Sequence, residues 1–303
     1  MNTTHATKKR TTPGGNRTAG TATEPRMSRN DMDTMDTSFF AKSLTNFSFR
    51  AGDANVIMQL SYAPIGYGVA RSTVFDGRVD LHPVKRGRTT GTYLAVAAMG
   101  TEKDRRLYRQ AVNKQHAQVR SLSDSPVEYH GMDSGLQQWV ASCLYYGAED
   151  MYQRVYGPLE GEEREKFYRQ GMVYGTTLQM PAEVWPATRA DFDVYWKSML
   201  STMSVSEEIR DYLLGTNKVH KRSLLHLLTP RRKRLNQTLG LLPPEFREIL
   251  RVPWTANDQK YFDKNITAAA EKFRKLPAWR AQLIARALLW DMRMRVRLGW
   301  DLV

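Results

Sequence analysis

Three residues in the stretch Lys85 to Leu122 have the side-chain types that hold a prosthetic group: Arg86, Thr90 and His116. Arg86 and Thr90 are four residues apart, so a helix sets them one turn apart on one face. Tyr93, Leu94 and Ala97 continue that face into apolar territory. On a second predicted helix, joined at Gly100-Thr101, Tyr108, Val112, His116 and Val119 recur at i, i+4, i+8 and i+11. That pattern places an imidazole within an apolar stripe. A neutral imidazole can bind haem iron, a guanidinium pairs with carboxylates, and a hydroxyl can donate a hydrogen bond beside it. The same three residues also fit a satisfied core, the commoner fate of a lone histidine on an apolar stripe. Spacing leaves both readings open.

The elements that must position these residues read as helices. Asn55 to Phe75 has helical periodicity interrupted by Pro64, Gly66 and Gly68. Proline kinks a helix and glycine admits close approach, so this segment is either a kinked core helix or a cofactor-facing wall to which Pro64 and Gly68 contribute. Ser134 to Tyr156 is amphipathic and stops at Gly157-Pro158. Glu160 to Leu178, Arg189 to about Met203 (with Thr188 as cap), and Ser206 to Leu214 follow. Leu224 to Leu242, Pro243 to Leu250, Ala256 to Leu276 and Ala278 to Leu298 complete the set. Strand-like alternation is scarce. The expectation is an all-α fold: a disordered N-terminal arm over residues 1–37, then one helical domain over 38–303 with basic C-terminal helices.

Composition excludes several chemistries. Cys143 is the only cysteine among 303 residues, which removes disulfide frameworks and cysteine-rich metal sites. The six histidines form no H-E-x-x-H or H-x-x-E-H pattern. No G-x-S-x-G elbow, P-loop or G-x-G-x-x-G fingerprint in strand–turn–helix context is present. A haem site survives this elimination because it needs one strong protein ligand. The net charge of +14 is uneven: residues 218–303 carry 19 Lys/Arg against 7 Asp/Glu, whereas residues 51–217 carry 18 against 20. The basic end describes an accessory surface for a partner or an anionic membrane, and no specific nucleic-acid partner is expected. No uncharged apolar run reaches the ~18–20 residues of a membrane span. No apolar segment follows Lys8-Lys9-Arg10, so the expected compartment is the cytoplasm.

From about Asn55 to Arg280 the chain resembles the family of MpaB-type oxygenases and latex-clearing (rubber) oxygenase catalytic domains. The matching pieces stand in family order: ANVIMQLSYAPIGYGVARS, then Arg86 and Thr90 in RGRTTGTYLAVAAMGT, then His116 in VNKQHAQV. YHGMD and QQWV follow, then YGPLEGEEREKFY, LQMPAEVWPATRADFDVY and LLPPEFR. The resemblance implies a globin-reminiscent helical bundle around a haem b pocket, with His116 as the iron ligand. It sets Arg86 and Thr90 beside the cofactor in catalytic and binding roles, with Pro64 and Gly68 on the wall. It also implies a haem-dependent oxygenase that uses dioxygen on an apolar, isoprenoid or olefinic small molecule. Three positions depart from the pattern: Thr89 where rubber oxygenases have lysine, Ala141 where many members have histidine, and Ala63 where many have the histidine of His-Pro. The competing expectation is a non-catalytic helical accessory protein, with or without haem, that meets its partner or a membrane through the basic surface.

Overall fold

Capping residues and helix breakers set most of the element boundaries. The computed structural model describes residues 27–72, 83–219 and 231–303. The fold is all-α and forms a single domain, in chain order α1 Arg29–Thr34, α2 Gly52–Leu60, α3 Ala63–Ala70, α4 Pro83–Met99, α5 Glu102–His116, α6 Ser134–Tyr156, α7 Gly161–Gly171, α8 Val173–Thr176, α9 Arg189–Thr202, α10 Glu207–Val219, α11 Arg231–Gly240, α12 Pro244–Ile249, α13 Ala256–Arg274, α14 Ala278–Ala281 and α15 Leu283–Leu298. No strand forms among the described residues, where extended pairing amounts to one isolated antiparallel bridge between Arg120 and His130. His5, His82, His220, His226, the end of the Asn55–Phe75 segment and the start of the Leu224–Leu242 segment lie outside the described residues.

Local chemistry explains where the helices differ from expectation. The Asn55–Phe75 segment divides at Ser61–Tyr62, and Pro64 sits in the first turn of α3, where its missing N–H leaves no bond unmade. α5 opens on a reciprocal capping box between Thr101 and Asp104. It ends at His116, so the imidazole lies at the helix terminus and not within a continuing stripe. Thr188 caps α9 as anticipated, again reciprocally with Asp191. The final predicted helix breaks at Gln282 into α14 and α15.

The boundary of the arm also changes. Ser28 and Asp31 form a capping box that starts α1, and Met32 and Asp33 are buried. Arg105, itself buried, donates to the Asp33 carbonyl (2.8 Å), the Met35 carbonyl (3.2 Å) and Thr37 Oγ1 (2.8 Å). Arg109 holds the Asp33 carboxylate through two nitrogens at 2.6 and 2.7 Å. Residues 28–37 therefore belong to the folded domain, because two arginines of α5 need the oxygens they provide. That pairing joins distant parts of the chain and has no local signature.

α6 forms the centre of the core. Trp139, Cys143, Tyr145, Met151 and Val155 on this helix are buried, each worth roughly 1.5–3 kcal/mol of apolar transfer for a side chain of this size. Trp139 stacks on Trp196 of α9 at 5.1 Å between ring centroids, and Tyr145 meets Phe192 edge-on at 5.1 Å. Glu149, buried on the same helix, pairs with buried Arg189 at 2.8 Å. Near the Ser134 end of α6, the core opens into a space lined also by α3, the start of α4 and the end of α5.

Candidate functional site

The described helices leave an apolar cavity of about 190 Å³ around His116. α3 contributes Pro64, Ile65, Gly68 and Val69, α4 contributes Lys85, Arg86 and Thr89, and the end of α5 contributes Gln115 and His116. The connection after α5 adds Val119, Tyr129, His130 and Gly131, and α6 adds Leu136, Gln137 and Val140. Ser72, Leu178 and Val303 complete the wall. Among the described residues, no Asp or Glu side chain lines it.

Four of the five residues singled out from sequence converge on this cavity: Pro64, Gly68, Arg86 and His116. Thr90 does not. It is exposed, while Thr89 lies on the wall and donates its hydroxyl to the Lys85 carbonyl at 2.9 Å. Arg86+3 and Arg86+4 both satisfy helical spacing, so packing decides between them. Tyr108 of α5 is buried and donates to the Thr89 carbonyl at 2.8 Å, which fixes the rotation of α4 against α5.

The electrostatics of the two central side chains are unusual. His116 Nδ1 is closed off from solvent and has no hydrogen-bond partner, and the imidazole makes no hydrogen bond to any described residue. Burial, assisted by the Arg86 guanidinium, pushes its pKa down to about 4, so the ring is neutral at ordinary pH. The C-terminal end of a helix would by itself favour a cation; here desolvation is the larger effect. Arg86 Nε is likewise buried without a partner, and burial lowers the pKa of the guanidinium. No carboxylate of the described residues faces it, so among them the guanidinium stands without a counter-charge beside a neutral nitrogen base.

The connection after α5 holds this arrangement in place. A Cβ at Gly131 would lie 2.5 Å from the His116 carbonyl oxygen, so only glycine lets the loop close on the end of α5. Ser121 donates its N–H to the Tyr129 carbonyl at 2.9 Å, and Gly131 donates to the Val119 carbonyl at 2.9 Å. Gln137 reaches back from α6 to the Gly131 carbonyl at 3.1 Å. On the opposite wall, a Cβ at Gly68 would stand 3.3 Å from the Tyr129 ring. His130 accepts the Met132 N–H at Nδ1 (3.2 Å). The site reading from Arg86, Thr90 and His116 missed Tyr129, His130 and Gly131, although they stand in the YHGMD segment that carries part of the resemblance.

A profile of the ER-bound oxygenase mpaB/B′/rubber oxygenase catalytic domain matches residues 43–272, most of the chain. The protein belongs to the mpaB/rubber oxygenase family. Relatives are the uncharacterised protein Rv2237 of Mycobacterium tuberculosis and the uncharacterised protein Mb2261 of Mycobacterium bovis. Each is 42% identical over 255 residues, covering 82% of this chain and 98% of the relative. No solved structure matches the chain. Membership in the mpaB/rubber oxygenase family supports an oxygenase role, with a small molecule and dioxygen as the implied reactants. Ala141, at the position where many members carry histidine, is buried in α6 and is not part of the cavity wall. No helix among the described residues is long and apolar enough to cross a membrane.

Proposed function

We propose that this chain is a haem b-dependent oxygenase that acts with dioxygen on an apolar, isoprenoid or olefinic substrate. The observation that supports this most is the presence, among the buried unpartnered groups of one apolar cavity, of the His116 imidazole without a hydrogen bond and the Arg86 guanidinium without a counter-charge among the described residues; Gln137 Oε1 is the third such group. Buried polar groups left this way cost stability, on the order of 1–3 kcal/mol each, and a ligand carrying a metal centre and carboxylates would satisfy His116 and Arg86. The donor set fits haem. His116 would hold the iron, Arg86 would pair with a propionate, and Pro64, Ile65, Gly68, Val69 and Val140 would cover the macrocycle and receive the hydrocarbon. Thr89, not Thr90, stands on the cavity side of α4.

When bound, haem iron supplies the dioxygen chemistry. The chain supplies the environment. Burial keeps His116 neutral and therefore available as a nitrogen donor. Arg86 balances acidic groups without introducing a competing carboxylate. The apolar wall excludes water and binds a substrate that offers few hydrogen bonds. Tyr129 and His130, set by the hydrogen bonds of their loop, line the same space.

The test is the absorption spectrum of the purified protein, as isolated and after addition of haemin. A Soret band is expected that shifts or disappears in His116→Ala and persists in Thr90→Val. A colourless protein whose mixture with haemin gives the spectrum of free haemin would overturn the proposal. Dioxygen uptake in the presence of an isoprenoid olefin separates an oxygenase from a non-catalytic haem-binding protein.

A further inference from the structure

The C-terminal helix presents a surface that neither core packing nor the cavity explains. α15 turns Ala285, Leu289 and Met292 inward. It runs antiparallel along α4: a Cβ at Gly91 would lie 2.8 Å from Leu288, and one turn further on Arg88 pairs with Asp291 at 3.5 Å. The outer face carries Leu283, Ala287 and Trp290, all exposed, at steps of four and three residues that define one helical stripe. Trp279, Trp290 and Trp300 are 55%, 65% and 59% exposed, and Ile284 and Leu298 are exposed with them. Three indoles uncovered within one short segment are uncommon on a water-facing surface.

Arginines border the apolar stripe. Residues 276–303 contain five arginines against two aspartates, and Asp291 is already occupied by Arg88 and Arg295. Arg280 lies over the Trp279 ring at 5.1 Å, and Arg286 bonds Gln282 at 3.3 Å. Arg280, Arg286 and Arg297 have no carboxylate partner among the described residues.

We infer that this face is a docking surface for an anionic lipid bilayer, with α15 lying in the plane of the headgroups. The chemistry matches on both counts. Indoles favour the boundary between headgroup and acyl chain, and leucine and isoleucine enter the apolar side. Guanidinium groups meet lipid phosphates at the height where a flanking arginine snorkels. A second copy of the chain is a poorer occupant, because a two-fold contact would bring like-charged arginines together. Nucleic acid would use the arginines and stack on the indoles, but it leaves the aliphatic ridge of Leu283 and Ile284 without a partner.

The C-terminal end of this segment leads to the cavity. Gly299, in the left-handed conformation at φ +68°, turns the chain after α15, and the Trp300 N–H closes on the Arg295 carbonyl at 2.9 Å. Three residues later Val303 forms part of the cavity wall. Docking therefore sets the cavity rim against the lipid, where an apolar small molecule partitions. The inference does not depend on haem, since vesicle binding is read without the cofactor.

The experiment is co-sedimentation of the full chain with phosphatidylcholine vesicles, with and without phosphatidylglycerol, followed by tryptophan quenching with brominated lipid. Binding is expected on phosphatidylglycerol vesicles at low salt, at least tenfold weaker in Trp290→Ser/Leu283→Ser and in Arg286→Gln/Arg297→Gln. These positions are exposed, so unchanged helical circular dichroism and melting temperature confirm that folding is intact. Loss of brominated-lipid quenching in Trp290→Phe is expected to exceed that in Trp196→Phe. Absence of binding at low salt, or equal binding by the variants, overturns the inference. Tighter binding to single-stranded oligonucleotide than to vesicles, or a vesicle-independent dimer abolished by Trp290→Ser, overturns it in favour of those partners.

Discussion

Arg86 is a residue that carries a cost in the free protein. Its Nε is buried and unpartnered, and no carboxylate of the described residues lines the cavity. Replacing such a charge with an apolar side chain of similar length removes a desolvation penalty. Arg86→Met is therefore expected to raise the stability of the haem-free protein by about 1–2 kcal/mol in urea denaturation, while weakening haemin binding about tenfold. Lower stability together with unchanged haemin affinity would assign Arg86 a structural role instead. His116 gives the complementary case. Its neutral ring is the proposed nitrogen donor, so His116→Ala is expected to remove the haem spectral signature without removing a charge from the cavity.

At the scale of elements, the site depends on the loop from Val119 to Gly131 being closed against α5 and on α15 being fastened across α4 and α5. Gly131→Ala tests the first: the added methyl would sit 2.5 Å from the His116 carbonyl, and relief of that contact displaces either the loop or the imidazole. A loss of about 1–3 kcal/mol is expected, with a larger fractional loss of haemin binding than Gly87→Ala, where the added methyl meets nothing. The second rests on Asp104, which pairs with Arg293 at 2.7 Å and also accepts from Thr101. Burial works against the ionised carboxylate, but Arg293 and Thr101 outweigh it and hold its pKa below the ordinary carboxylate value. A depressed carboxylate contributes stability above the unfolded pKa, near 4, and loses it as pH falls through the folded value. The stability difference between wild type and Asp104→Asn is accordingly expected to be full at pH 7 and to shrink below about pH 4. A difference independent of pH in denaturant melts would show that the ion pair is not its source.

At the scale of the whole molecule, charge and apolar surface are separated along the chain. The near-neutral middle supplies the core around Trp139 and the walls of the cavity, while the basic C-terminal helices supply the exposed arginine–tryptophan face. An oxygenase of the mpaB/rubber oxygenase family that takes a water-insoluble substrate needs a dry cavity and a route into it. The vesicle experiment tests the route and the haem spectrum tests the cavity, so either result stands without the other.

Much of the architecture follows from the sequence because helix signals are local. The cap at Thr188 and the stop at Gly157 act through neighbouring backbone groups, and each bounds a helix near its expected place; Pro64 instead opens a separate helix within the segment that periodicity joins. The resemblance pointed to Arg86 and His116 through an ordered set of short segments. What spacing could not decide was orientation. Thr89 and Thr90 are both compatible with the Arg86 face, and the Tyr108 hydrogen bond to the Thr89 carbonyl turns Thr89 inward and Thr90 outward. Residues 28–37 look polar and solvated in isolation, yet they are held because Arg105 and Arg109, some 70 positions away, need their oxygens. Tyr129, His130 and Gly131 carry no periodicity, since a loop shaped by long-range packing has none. Local sequence determined which segments are helical; tertiary packing determined which atoms around His116 were left unsatisfied, because burial is a property of neighbours brought together from the whole chain.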